Sequence, residues 1–127
     1  MSRLLIDTDV LIDFLRGKQK ALDLLKSFPE DSITCCSVIT VAELFAGMLE
    51  TEKEKTVRLI DSLEVISIDR NIAELAGEFK KDTKSHHIGL DDYFIAATAL
   101  IHDAELVTKN YKHYPVKGIR LRIASYK

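Results

Sequence analysis

The sequence has no apolar run approaching the roughly 20 residues that a membrane-spanning helix requires. It also lacks, near its start, the basic segment, apolar stretch and small-residue cleavage site of a secretory leader, so a cytoplasmic protein with no membrane partner is the expectation. Cysteine is scarce. Cys35 and Cys36 are the only two and are adjacent, which is awkward geometry for a mutual disulfide, so both read as ordinary strand residues of a reduced compartment. No CxxC or Cys/His metal pattern is present, because His86, His87, His102 and His113 stand at no ligand-like spacing from the thiols; this argues against zinc. A large excess of one charge is missing too, and a net charge of -2 argues against binding nucleic acid by bulk electrostatics.

What is present fits a single domain over residues 1–127, at 46% hydrophobic and 30% charged. A chain of this size buries roughly two-thirds of its unfolded surface and needs no staples. The charge average hides an asymmetry. From Asp103 onward, Lys109, Lys112, Lys117, Arg120, Arg122 and Lys127 face only Asp103 and Glu105, giving this tail +4 against -6 for the rest. Such a tail is either a phosphate-binding surface or a solvated strand face.

Short β-branched runs alternate with longer segments of helical period, the pattern of a layered α/β fold with a mainly parallel sheet of four to five strands. The strands expected are RLLID, SITCCS, LEVISI, ELVTK and IRLRI. Between them, VLIDFLRG ends at Gly17, QKALDLLKSFP stops at Pro29, and TVAELFAGMLE runs on into TEKEKTVRLIDSL. DRNIAELAGEFKKDTK and DDYFIAATALIHD supply two more helices, the second apolar enough to lie against the sheet.

In open α/β sheets ligands gather beyond the carboxyl ends of the strands, and this ranks the acids. Asp7 falls at the end of the first strand, Asp91 and Asp92 begin a helix, and Thr108 with Asn110 follows the fourth strand. Glu43 lies early in the helix after the second strand. Singly, each has a structural explanation: Asp9 or Thr8 as a helix cap, Asp91 or Asp92 as a partner of a helix dipole. Glu43 resists that explanation, because apolar neighbours flank it on both sides and a buried unpaired carboxylate is costly. Carboxylates converging at one strand edge repel one another without a cation, and oxygen donors without sulfur or imidazole select Mg²⁺ or Mn²⁺. Such a site suits phosphodiester chemistry, in which the ion activates water and stabilises the leaving oxygen.

Four blocks carry a specific resemblance: LIDTDVLIDFLRG, TVAELFAG around Glu43, LDDYFIAATAL, and LVTKNYKHY. In this order, and over nearly the whole length, they are similar to PIN-domain proteins, and more narrowly to the VapC-type toxins of type II toxin–antitoxin systems. The resemblance implies a three-layer α/β/α fold and Asp7, Glu43 and Asp92 as the metal-binding acids. Asn110 matches a fourth position that carries aspartate or asparagine in the family, with Thr108 as its hydroxyl neighbour. With asparagine there, one tightly held ion is expected, a second being recruited by RNA phosphate. Asp91 leaves the third acid open by one residue, the offset to IAATA favouring Asp92. Asp9 stands where relatives often carry asparagine or serine, so capping and an extra acidic contact both stay open.

The implied function is metal-dependent endoribonuclease activity on single-stranded or looped RNA, in a cytoplasmic homodimer restrained by a VapB-like antitoxin. The antitoxin would lie beside the site, near Leu11, Phe14, Leu15, Leu22 and Leu25, most of which also suit the core. Lys112 and His113 are candidates to stabilise charge near the scissile phosphate; Tyr93, Phe94, Tyr111 and Tyr114 are candidates either to stack on bases or to pack. Two other readings stand beside this one. IDTD also resembles the nucleophile motif of haloacid-dehalogenase-like phosphatases, with Asp7 as nucleophile and Ser37, Lys81 and LDD as later partners, but the glycine-containing turn is missing and Glu43 is left over. The other is a catalytically silent PIN-like module that only binds RNA or a partner.

Overall fold

The computed structural model describes residues 2–83 and 87–126. Lys84, which closes the expected fifth helix, His86 and the tail cation Lys127 lie outside them.

The strands are β1 Arg3–Ile6, β2 Ile33–Ser37, β3 Glu64–Ile66, β4 Ala104–Thr108 and β5 Leu121–Ile123. All neighbours pair in parallel, in the order β3-β2-β1-β4-β5. The helices are α1 Thr8–Leu15, α2 Gln19–Lys26, α3 Val38–Gly47, α4 Lys53–Asp61, α5 Arg70–Thr83 and α6 Leu90–Ile101. No helix among the described residues is long and apolar enough to cross a membrane.

β1 lies at the middle of the sheet, which is why Leu4, Leu5 and Ile6 form an unbroken apolar run: both faces of a central parallel strand are covered. Leu4 and Ile6 join Cys36 and Val107 under Val10 and Leu11 of α1, Leu44 of α3 and Leu59 of α4. Leu5 joins Cys35 and Leu106 under Ile95, Ala96 and Ala99 of α6. On the outer side, α6 packs Tyr93 and Ala97 against Ile72 and Ala76 of α5. The result is the expected α/β/α layering. The period of two along β2 sends the adjacent thiols to opposite faces of the sheet, where burial pushes Cys35 up to about 12 and Cys36 to about 11.

One expected helix divides. The run TVAELFAGMLE does not continue into TEKEKTVRLIDSL: α3 ends at Gly47, and Met48 and Leu49 are extended, with ψ of 150° and 154°. The Glu52 carboxylate accepts the Leu49 N–H at 2.7 Å, starting a short 3₁₀ turn, Glu50–Glu52, that leads into α4. A local side-chain acceptor thus replaces an intrahelical carbonyl, an alternative that helical periodicity does not report.

Candidate active site

From β1 the chain builds outward through β2 to β3, then returns to place β4 on the other side of β1. The topological switch therefore lies between β1 and β4, and a crevice opens beyond their carboxyl ends. Asp7 follows β1 and Thr108 ends β4, so both stand at its floor.

Asp7 caps α1 itself, a position expected of Asp9 or Thr8. Its Oδ1 accepts the Thr8 N–H at 2.8 Å and its Oδ2 accepts the Thr108 hydroxyl at 2.7 Å. At 5% exposure the carboxyl is buried, and burial raises its pKa despite these donors.

Glu43 projects from α3 into the same crevice, where its Oε1 accepts the Thr8 hydroxyl at 2.7 Å. Thr8 Oγ1 also lies 3.0 Å from Thr40 Oγ1, one turn before Glu43 on α3. Burial, the nearby Asp91 carboxyl and the Asp7 charge push Glu43 up to about 7, against the Thr8 hydrogen bond. Glu43 is only half-buried, and its apolar neighbours Val38 and Phe45 on α3 face outward rather than into the core.

Both acids at the start of α6 reach the crevice by different sides. Asp92 receives the Tyr114 hydroxyl on Oδ1 and faces His113 Nδ1 from Oδ2, each at 3.5 Å. Burial and the charges of Asp91 and Asp7 push it up to about 6, while His113 and Tyr114 hold it down. Asp91 turns toward Glu43. Gly89 makes room for that: a Cβ there would stand 2.4 Å from Asp91 Oδ1.

Asn110 follows β4, donates its backbone N–H to Thr108 Oγ1 at 3.0 Å, and donates its side-chain amide to the Asp9 carboxylate. Asp9 therefore forms the rim rather than the cap.

Thr40 is a residue that the sequence reading does not name; Thr8 is expected there only as a helix cap, and Tyr114 only as a ring that stacks or packs. Tyr114 is 3% exposed and Tyr93 is 1% exposed, so neither ring is open to a base; Tyr111 is exposed and Phe94 half-buried. Buried among acids, the Tyr114 hydroxyl is raised far above its ordinary range and stays a donor.

Three of the six cations of the basic tail are spent within the fold. Lys109 pairs with Asp13, Arg120 with Asp103 and Arg122 with Glu105. The acids of the crevice are thus held by neutral hydroxyls and amides, with His113 as their one basic neighbour in a described ion pair.

Asp7, Glu43 and Asp92 offer only oxygen, and their pKa values are all raised, as expected of carboxyls that lack a counter-charge. That donor chemistry fits a hard divalent cation such as Mg²⁺ or Mn²⁺. Among the described residues no three acid, imidazole or thiol side chains are already arranged around one point, so the fit rests on donor type and charge.

The PIN domain family matches residues 4–118. Ribonuclease VapC10 of Mycobacterium tuberculosis is 41% identical over 115 residues, covering 89% of this chain and 86% of that protein. Ribonuclease VapC1 of Methanocaldococcus jannaschii is 31% identical over 116 residues, covering 89% and 79%. Among solved structures, a chain of a toxin–antitoxin complex from Klebsiella pneumoniae superposes with a TM-score of 0.84 at 27% identity, over 98% of this chain and 99% of that one.

Proposed function

The chain belongs to the PIN domain family, and from that premise we propose that it is a metal-dependent endoribonuclease acting as the toxin of a toxin–antitoxin pair. The observation that carries this reading is the gathering of Asp7, Glu43 and Asp92 at the β1/β4 switch with hydroxyl donors in place of cations. The names of the relatives, ribonucleases both, support the substrate class.

Asp7, Glu43 and Asp92 would hold one Mg²⁺ or Mn²⁺ ion, which supplies Lewis-acid polarisation of a phosphodiester and a lowered pKa for attacking water. Thr108 keeps the Asp7 carboxylate aimed outward from the strand end. Asn110 holds Asp9 at the rim. The exposed Lys112 supplies positive charge where an RNA backbone enters, His113 beside Asp92 offers a ring nitrogen there, and exposed Tyr111 offers a ring to a base.

A VapB-like antitoxin is the proposed protein partner, supported by the toxin–antitoxin complex that the fold matches. The groove that ends at Glu43, lined by Ile12, Leu15, Leu44 and Met48, offers it an apolar seat beside the acids. For a cytoplasmic homodimer, Val38 and Phe45 of α3, with Leu49 just beyond, give an exposed apolar face.

The phosphatase alternative loses its basis. The named relatives are ribonucleases, and Ser37 uses its oxygen to cap α3 through the Ile39 N–H. The test is incubation of antitoxin-free protein with a mixed RNA pool, with and without Mg²⁺ or Mn²⁺, beside Asp7→Asn and Glu43→Gln. Metal-dependent cleavage lost in both variants is expected. No cleavage in any condition, with RNA binding that persists without metal, would replace this reading by the silent module.

A further inference from the structure

The geometry points to Thr8 as the residue that sets Asp7 and Glu43 relative to each other, with Thr40 fixing the direction of its hydroxyl. This rests on the reading of those two acids as ligands of one divalent ion. Thr8 reaches both: its backbone N–H meets Asp7 Oδ1 at 2.8 Å and its hydroxyl meets Glu43 Oε1 at 2.7 Å. One residue thus joins the acid at the end of β1 to the acid on α3.

The direction of the chain follows from counting protons. A threonine hydroxyl carries one proton and two lone pairs, and an ionised carboxylate only accepts. The Thr8 proton therefore goes to Glu43, and the Thr40 proton, 3.0 Å away, fills a Thr8 lone pair. Thr40 is fully buried and Thr8 is 6% exposed, so solvent offers neither a ready alternative. The order is Thr40 to Thr8 to Glu43.

Without Thr8 the Glu43 carboxyl keeps the Asp91 carboxyl as a side-chain hydrogen-bond partner, a contact that favours its protonated form, and no described hydrogen bond then ties it to the Asp7 side of the crevice. With Thr8 in place the Asp7 and Glu43 carboxylates are joined through one residue before any ion arrives. Thr8 is therefore a positioning residue: it touches ligands, not substrate.

The experiment pairs calorimetric titration of Mn²⁺ into metal-free protein with crystal structures of the metal-free proteins. The variants are Thr8→Val, which keeps shape and removes the donor; Thr8→Ser, which restores it; and Thr8→Val/Thr40→Val, which leaves no orphaned hydroxyl. Outer partners of metal ligands are typically worth about 10- to 100-fold in affinity, so Thr8→Val should weaken Mn²⁺ binding about tenfold or more, and Thr8→Ser should recover most of it. The double variant should bind as poorly as Thr8→Val while melting close to wild type, which separates positioning from folding. In the Thr8→Val crystal structure Glu43 should leave its place near Asp7. Wild-type affinity in Thr8→Val, or a Glu43 that does not move, overturns the proposal. If the wild type itself binds no Mn²⁺, the metal reading of the site fails, and the position of Glu43 in Thr8→Val still decides whether Thr8 holds it.

Discussion

Lys109 Nζ lies 2.6 Å from Asp13 Oδ2, although Lys109 stands between Thr108 and Asn110 at the rim of the acidic crevice. The cation nearest the site in sequence is thus committed to a carboxylate further along α1. Tyr126 donates to the same Oδ2 at 3.0 Å and Lys18 reaches Oδ1 at 3.3 Å. Burial opposes the charge on Asp13, but these donors outweigh it and hold the carboxyl below its ordinary pKa.

Asp13→Asn should therefore destabilise the protein by about 2 kcal/mol, the scale of a hydrogen bond to a charged group, read as a lower urea midpoint. A depressed folded-state pKa contributes stability that is present above the unfolded value of about 3.9 and is lost as pH falls through the folded value. Wild type should lose this contribution only in strong acid, and Asp13→Asn should show no such loss.

The acids of the crevice have the opposite sign. Glu43, pushed up to about 7, and Asp92, pushed up to about 6, bind protons more tightly in the folded state. Their contribution is fully present below the unfolded carboxyl values and is lost as pH rises through 6 to 7. In EDTA, Tm should drop by a few degrees between mildly acidic and mildly alkaline pH, and Mg²⁺ or Mn²⁺ should restore it at the alkaline end. Glu43→Gln should flatten this profile while abolishing cleavage. A flat wild-type melting profile would contradict the assignment of a repulsive site.

Asp92→Asn should reduce cleavage far more than Asp91→Asn, because Asp92 meets Tyr114 and His113 whereas Asp91 acts through its proximity to Glu43. Gly89→Ala isolates that proximity: the new Cβ displaces the Asp91 carboxylate, so the Glu43 pKa should fall in a carboxyl NMR titration with the fold intact. The reverse ranking of the two aspartates would move the third ligand by one residue.

Tyr114→Phe keeps the ring in the core it shares with Ile95 and Leu106 and removes only the hydroxyl. Asp92 then loses a donor that favours its ionised form, so the acidic limb of the pH–rate profile should shift to higher pH. An unchanged profile would make Tyr114 a packing residue alone.

The sequence made β1 to β5 legible to within a few residues, since central strands must be apolar and helices must show a helical period. It also marked Asp7, Glu43, Asp91 and Asp92 as acids at one edge. Thr8 and Tyr114 escaped because their significance is a partner far away: Thr8 meets Glu43 35 residues on, and Tyr114 meets Asp92 22 residues back. A threonine after an aspartate reads as a cap, and Tyr114 reads as a ring that stacks or packs rather than as a hydroxyl donor. The break between α3 and α4 escaped for a smaller reason, the Glu52 carboxylate that takes the Leu49 N–H.

The position of β1 between β2 and β4 also bears on when the molecule becomes active during its own synthesis. Asp7 is made early, yet its hydroxyl donor lies 101 residues later. A nascent chain that has not yet released β4 from the ribosome has β1 with a bare edge and Asp7 without Thr108. The floor of the crevice is complete only once β4 has paired with β1. The order in which the strands are made therefore puts that completion late in synthesis.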